Sequence, residues 1–79
     1  RREIMSIVDF MIHLKPELPP DERIQLESEI CDLDGVMTAC FSARHPHMME
    51  ITYDPEVVTS SVVMECVIQR GIAAEKVGL

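Results

Sequence analysis

The chain has 79 residues, of which 47% are hydrophobic and 27% are charged. This length suits one domain with a single small core, and we expect residues 1–79 to form that domain. The net charge of −7 argues against nucleic acids and anionic membrane surfaces as partners, because both select clusters of Lys and Arg. No apolar run approaches the ~18 residues of a membrane span. A soluble domain, compatible with cations or with a basic partner protein, is expected.

Three cysteines are an odd number, and none of them lies close to another in sequence. Such usage is typical of a reduced, cytoplasmic chain rather than of a secreted disulfide framework. No signal peptide is visible. We therefore expect a cytoplasmic protein.

The first predicted element is a strand within residues 4–14. Alternate residues of a strand form its two faces, and apolar residues occupy most positions on both faces of this segment. Only Asp9 and His13 interrupt the face formed by the odd-numbered residues. The β-branched content and the stop at Pro16 favour a strand over a helix. A strand that is apolar on both sides is typical of a central strand whose second face is partly covered.

A proline-rich loop at residues 15–20 leads to the first predicted helix, which begins at Pro20 or Asp21. Asp21 and Glu22 lie in its first turn, where they interact favourably with the helix dipole. Helical spacing predicts one buried stripe, with Arg23 at its edge: Arg23, Leu26, Ile30 and Leu33. The acidic residues off this stripe are expected to face solvent: Glu27, Glu29 and Asp32.

Residues 34–35, Asp-Gly, end this helix, and residues 36–43 are predicted to form the second strand. Its two faces are expected to alternate, with Met37, Ala39 and Phe41 on one and Thr38, Cys40 and Ser42 on the other. Arg-His-Pro-His at residues 44–47 predicts a tight turn. Residues 48–53 then return as the third strand, since apolar and polar residues alternate there.

Asp54 and Pro55 end the third strand, and no Gly or Pro occurs between residues 57 and 70. Helical spacing in this segment predicts a second helix whose stripe contains Val63, Cys66, Val67 and Arg70. Gly71 is suited to a left-handed C-cap, and residues 72–77 are predicted to form the last strand.

The order of elements is strand, helix, strand, strand, helix, strand. Two right-handed crossovers place both helices on one face of a four-stranded antiparallel sheet, with the first strand beside the third. The predicted fold class is therefore α+β, a two-layer sandwich of ferredoxin-like βαββαβ topology with one open sheet face.

Three short motifs resemble the heavy-metal-associated domain family over about residues 8–78. They are Leu-Asp-Gly-Val at residues 33–36, Tyr-Asp-Pro at residues 53–55 and Gly-Ile-Ala-Ala-x-x-Val at residues 71–77. The family has Leu-Pro-Gly-Val, Tyr-Asp-Pro and Gly-aromatic-x-Ala-x-x-Val at this spacing. The resemblance implies the ferredoxin-like fold and an association with metal handling.

The chain departs from the family at its metal motif. In the family, the first loop carries Met-x-Cys-x-x-Cys, whose two thiolates bind a soft ion such as Cu(I) or Zn(II). Counting back from Gly35, these cysteine positions fall on Pro19 and Glu22. The three cysteines of the chain have other expected roles: Cys66 in core packing, Cys31 on a helix flank, and Cys40 as an apolar filler or exposed thiol on the open face.

Four other side chains are candidate metal ligands at the hairpin end of the sheet: His13, His45, His47 and Met48. His13 and Met48 are expected on the open faces of neighbouring strands, with His45 and His47 on the turn above them. Imidazole and thioether groups would suit a copper or zinc ion. The alternative is an ordinary polar turn fixed by Pro46, with no metal.

The open sheet face is the second candidate site. Four residues would leave an apolar patch there in a monomer: Ile7, Met11, Cys40 and Met48. A second copy of the chain or another protein partner would cover this patch. We therefore expect a dimer or a protein complex formed through this face.

The sequence contains no catalytic triad, no glycine-rich phosphate loop and no paired carboxylates in an evident cleft. We therefore expect a non-catalytic interaction or oligomerisation module, associated with metal homeostasis and lacking the two-cysteine site. One alternative is a metal-binding or metal-chaperone domain that uses the His and Met ligands. Another is a small-molecule sensor of the ACT type, although residues 15–20 lack the glycine-rich turn that such domains use.

Overall fold

The computed structural model describes residues 6–77 of the chain. Its elements are β1 (Val8–Leu14), α1 (Pro20–Cys31), β2 (Val36–Phe41), β3 (Met48–Tyr53), α2 (Ser60–Gln69) and β4 (Ala74–Val77). The strands form one antiparallel sheet in the order β2-β3-β1-β4, with β1 beside β3. This arrangement confirms the predicted ferredoxin-like α+β fold. Neither helix in residues 6–77 has the length and apolar character that crossing a membrane requires.

The core lies between the sheet and the two helices. Its fully buried side chains come from both layers: Ile12, Leu14, Met49 and Ile51 from the sheet, Leu26 and Ile30 from α1, and Val63 and Val67 from α2. The predicted helix stripes therefore supply the core. Their outer members are less buried, because Leu33 lies beyond the end of α1 and Arg70 caps the end of α2.

Several predicted boundaries differ from those in the structure. β1 begins at Val8; of the earlier residues assigned to this strand, Ile4 and Met5 lie outside the described residues. β2 ends at Phe41 rather than at residue 43, because the Ser42 hydroxyl accepts hydrogen bonds from two backbone N–H groups of the following turn. α2 begins only at Ser60, where the Thr59 hydroxyl caps it by accepting from the Val62 N–H.

The predicted position of Met37 was wrong. The pairing of β2 with β3 shifts between Val36, which faces Tyr53, and Thr38, which faces Thr52. Met37 therefore has no partner residue on β3. Its side chain does not pack beside Ala39, and the residue is 46% exposed. Such a bulge adds one residue to one strand and breaks strict alternation, which the sequence pattern assumes.

Two of the motifs that carry the family resemblance meet in space. The Asp54 N–H donates to the Gly35 carbonyl at 2.8 Å, and the buried Asp54 carboxylate accepts from the Glu56 N–H at 3.0 Å. Gly35 has φ of 93°, and a Cβ there would lie 2.8 Å from the Cβ of Val57. The contact fixes the end of β3 against the start of β2.

Two acidic residues of α1 that were expected to face solvent have partners; Glu29 is exposed as expected, whereas Glu27 is half-buried. The Glu27 carboxylate accepts a hydrogen bond from the Phe41 N–H at 2.8 Å. Glu27 therefore satisfies a backbone donor that points outward from the edge strand β2. Glu29 forms an ion pair with Arg70, which links α1 to the end of α2. A helical pattern shows which side of α1 is apolar but not which neighbours its polar side reaches.

Candidate functional site

The open face of the sheet is formed by alternate residues of all four strands. In one row across the sheet, Val77, Met11, Glu50 and Cys40 lie side by side. Met11 is half-buried and Cys40 is exposed. Because Glu50 separates Met11 from Cys40, the apolar surface of this row is divided by a carboxylate.

The next row contains two of the predicted metal ligands. His13 faces Met48 directly in the pairing of β1 with β3, and Glu75 of β4 faces His13 from the other side. Both His13 and Met48 are half-buried. The expectation that these two side chains lie on neighbouring strands of the open face is therefore confirmed.

His47 adds a second imidazole to this row. Its ring stacks on that of His13, with 5.9 Å between centroids and 20° between planes. The Nδ1 atom of His47 lies 2.9 Å from the Leu14 carbonyl oxygen. Since a carbonyl only accepts hydrogen bonds, Nδ1 carries the proton, and Nε2 of neutral His47 has a free lone pair.

The structure does not place His45 with the other candidates. The His45 N–H donates to the Ser42 hydroxyl, and the His45 carbonyl accepts from the Met48 N–H. The residue is exposed. Within residues 6–77, its ring packs against neither of the other two imidazoles. Of the four predicted ligands, the structure thus brings together His13, His47 and Met48.

Glu17 is a neighbour of this group that the sequence pattern does not reveal. One of its carboxylate oxygens lies 4.0 Å from Nε2 of His47. The residue belongs to an irregular loop, so no periodic pattern signals its direction. Across residues 6–77, no three side chains of the His, Cys, Asp and Glu classes stand together in a way that could hold a metal ion.

The residues present do not fit the thiolate site of the family that the sequence resembles. Pro19 has an extended backbone at the start of α1 and carries no donor side chain, and Glu22 is exposed in the first helical turn. The chain's own thiols lie on three different elements: Cys31 on α1, Cys40 on β2 and Cys66 on α2. No pair of thiolates is available on the loop before α1.

Cys66 lies in a groove between the helices rather than deep in the core. It is half-buried and lines a cavity of about 490 Å³ together with Glu29, Leu33 and Val62. Burial raises the pKa of the Cys66 thiol, Glu29 raises it further, and Arg70 opposes them. Desolvation disfavours the thiolate, so the group behaves mainly as a small apolar side chain.

Comparisons with known proteins identify the fold. No known family and no curated protein gives a significant match. Among solved structures, the copper-binding domain from HMA7, a P-type ATPase, is 16% identical with a TM-score of 0.78, covering 89% of this chain and 93% of that one. The putative copper-ion-binding protein from Bacillus anthracis str. Ames is 17% identical with a TM-score of 0.80, covering 91% and 100%.

Oxidized MerP from Ralstonia metallidurans CH34 is 10% identical with a TM-score of 0.80, covering 92% of this chain and all of that chain. Each of these matches extends over most of both chains, so the whole βαββαβ unit is shared. The chain therefore has the fold of these domains, as the motifs in its sequence predict.

Proposed function

We propose that this chain is a non-catalytic interaction domain that acts in cytoplasmic metal handling and associates through its open sheet face. The observation that carries the proposal is the sheet face that no helix within residues 6–77 covers. Half-buried Met11 and Met48 lie on it, exposed Cys40 lies across Glu50 from Met11, and Ile7 precedes β1 as a large exposed apolar residue. The fold shared with metal-binding domains supports the link to metal handling.

We propose a second copy of the chain as the partner on this face. The apolar side chains favour burial, whereas Asp9, Glu50 and Glu75 on the same face repel their counterparts in another copy. The two effects respond differently to salt, because salt screens exposed charges and leaves apolar burial intact. Added salt should therefore strengthen self-association, whereas it would weaken the binding of a basic partner.

Sedimentation of the wild type and two variants tests this proposal. Met11→Asp places a charge in the centre of the face, and Ile24→Asp places the same charge on an exposed apolar residue of α1. We expect a dimer for the wild type and for Ile24→Asp, and a monomer for Met11→Asp. A monomeric wild type at the highest concentration would overturn the proposal, as would equal effects of both substitutions.

The alternative function is the binding of a copper or zinc ion at the hairpin end of the sheet by His13, His45, His47 and Met48. The stacked imidazoles and the cross-strand neighbour Met48 specifically favour it. His47 donates its Nδ1 proton to a backbone carbonyl, an arrangement that fixes many metal-bound histidines and presents Nε2 to the ion. His45 would have to turn toward the group from the exposed turn.

Native mass spectrometry on the fully alkylated protein tests this alternative. Because alkylation removes the three thiols, a retained ion must be held by other groups, and we expect one ion per chain. His47→Ala should lose the ion. Loss of binding on alkylation would assign the ligands to the thiols, and absence of binding before and after it would exclude the site.

A further inference from the structure

A trough runs along the helical side of the molecule, away from the open sheet face. Two cavities of about 490 Å³ and 340 Å³ share Leu33 and Val62 as lining residues, so they adjoin each other. One extends past Cys66 to Arg70, and the other extends to Pro55. We name this surface the helix trough.

The floor of the helix trough is apolar. Val62 and Val57 are 47% and 55% exposed, and half-buried Leu33 and Cys66 also line the trough. Isolated exposed valines are common on protein surfaces, but here four apolar side chains line two adjoining concave surfaces. Val63 and Val67, on the other side of α2, already fill the core, so the fold does not require an apolar residue at Val62.

The rim of the helix trough is acidic. Glu29 and Glu65 border one cavity, and Asp34 and Glu56 border the other. Among the described residues that line the two cavities, Arg70 is the one cation; it borders the larger cavity, and its guanidinium is already paired with Glu29. The surface thus combines an apolar floor with an excess of carboxylates.

We propose that the helix trough docks a basic amphipathic helix of a partner protein. Apolar side chains of that helix would cover Leu33 and Val62, while its Lys and Arg residues would approach Glu65 and Asp34. A second copy of this acidic chain lacks the complementary charge. The lining residues that belong to the described segment 6–77 lie on helices and turns and on no strand edge that could pair with an extended peptide, so a helix that satisfies its own backbone hydrogen bonds fits better.

The segment of the partner that docks in the trough is expected to be short. α2 has ten residues, which corresponds to about 15 Å at 1.5 Å per residue, so about three turns of a docked helix would match it. The site goes beyond the self-association proposed above, because it lies on the other side of the molecule. A chain associated through its sheet face could therefore still bind the basic helix.

Binding of a designed probe peptide tests the inference. The probe is an 18-residue Leu/Lys peptide with one apolar stripe, and the control peptide has Glu in place of each Lys. In fluorescence anisotropy, we expect the Lys peptide to bind with an affinity that falls with added salt, and the Glu peptide not to bind. Val62→Ser and Glu65→Gln should each weaken binding at least about fivefold, as expected of contacts that contribute to an interface.

Matched substitutions outside the helix trough separate docking from general charge attraction. Ile24→Ser removes an exposed apolar residue and Glu22→Gln an exposed carboxylate, both on α1. Each should change the affinity less than about twofold. The inference is overturned if these variants weaken binding as much as Val62→Ser and Glu65→Gln do, or if the Lys peptide does not bind at all.

Thiol labelling gives an independent readout. In a Cys31→Ser/Cys40→Ser background, Cys66 is the sole thiol and lines the trough. Saturating Lys peptide should slow its alkylation at least about threefold by covering it. An unchanged rate at saturation would contradict docking in the trough. Neither outcome depends on dimerisation through the sheet face, so the two proposals can fail separately.

Discussion

The imidazole of His47 stacks on that of His13 while its Nδ1 proton is held by the Leu14 carbonyl. The Leu14 N–H in turn donates to the His47 carbonyl at 2.8 Å. Backbone and side chain of His47 therefore both bind the end of β1. This double contact fixes the turn after β2 against β1 and orients Nε2 toward the loop that carries Glu17.

We predict that His47→Ala destabilises the domain even without metal. Loss of the side-chain bond to Leu14 should cost about 1 kcal/mol in the free energy of unfolding. His45→Ala, which removes an exposed ring from the same turn, should cost less than about 0.5 kcal/mol. Urea denaturation of both variants in the presence of a chelator checks this, and equal effects would contradict the structural role of His47.

Any metal bound at the hairpin end should be released by acid. Imidazole binds a metal only as the neutral base, so protons compete with the ion for His13 and His47. The affinity should therefore be lower in acid than at neutral pH. Copper or zinc titration followed by calorimetry at several pH values measures it, with alkylated protein as the control for thiols. An affinity that is independent of pH would exclude histidine ligands.

We predict that Cys66 is the slowest of the three thiols to react. Burial raises its pKa, so less thiolate is present at a given pH, whereas Cys31 and Cys40 are exposed. The raised pKa also means that the native state holds this proton more tightly than the unfolded chain does. The stability that the Cys66 thiol contributes is fully present below its pKa in the unfolded chain, about 8.5. This stability is lost as pH rises through the raised pKa of the folded state.

Mass-spectrometric mapping of alkylation at pH 8 checks the order of reactivity. Cys66→Ala should remove the alkaline loss of stability that is due to this thiol, without changing the loss that comes from other groups. Labelling of Cys66 as fast as that of Cys31 would show that the groove does not shield it.

The two glycines with positive φ should respond differently to substitution by alanine. Gly35 and Gly71 have φ of 93° and 82°, so a side chain at either position is strained. An added Cβ meets Val57 and Val58 within 3.0 Å at Gly35, but meets nothing within 4 Å at Gly71. We expect Gly71→Ala to cost about 1 kcal/mol and Gly35→Ala about 3 kcal/mol or more. Equal costs in thermal or urea unfolding would contradict this packing.

Glu27 should protect the edge of β2. Glu27→Ala removes the acceptor for the Phe41 N–H and should cost about 1 kcal/mol, while Glu27→Gln keeps a carbonyl oxygen there and should cost less. An exposed edge donor also favours pairing with other chains, so Glu27→Ala should aggregate sooner on heating. Light scattering during a thermal ramp, with Glu22→Ala as the control, checks this. Identical behaviour of the two alanine variants would contradict it.

The sequence pattern predicted the elements that depend on local chemistry and burial. β3 lies at residues 48–53 as predicted, Gly71 has the expected left-handed conformation, and Leu26 and Ile30 supply the buried side of α1. These features follow from alternation, helical spacing and the freedom of glycine, which a single sequence displays directly.

Features that depend on contacts between distant segments could not be predicted. The bulge at Met37 arises from how β2 is matched to β3, and the partner of Glu27 lies 14 residues away. Glu17 reaches His47 from an irregular loop, and the helix trough depends on the spacing of α1 and α2. No periodicity encodes such relationships, because they depend on loop conformation and packing.

Association through the open sheet face is tested most directly by the reactivity of Cys40. This thiol lies on that face, whereas Cys31 is an exposed thiol on α1 and serves as the internal control. The rate of alkylation of both residues should be measured across a range of protein concentrations. We predict that Cys40 becomes progressively protected as the concentration rises while Cys31 reacts at a constant rate. A Cys40 rate that stays constant at every concentration would contradict the proposed interface.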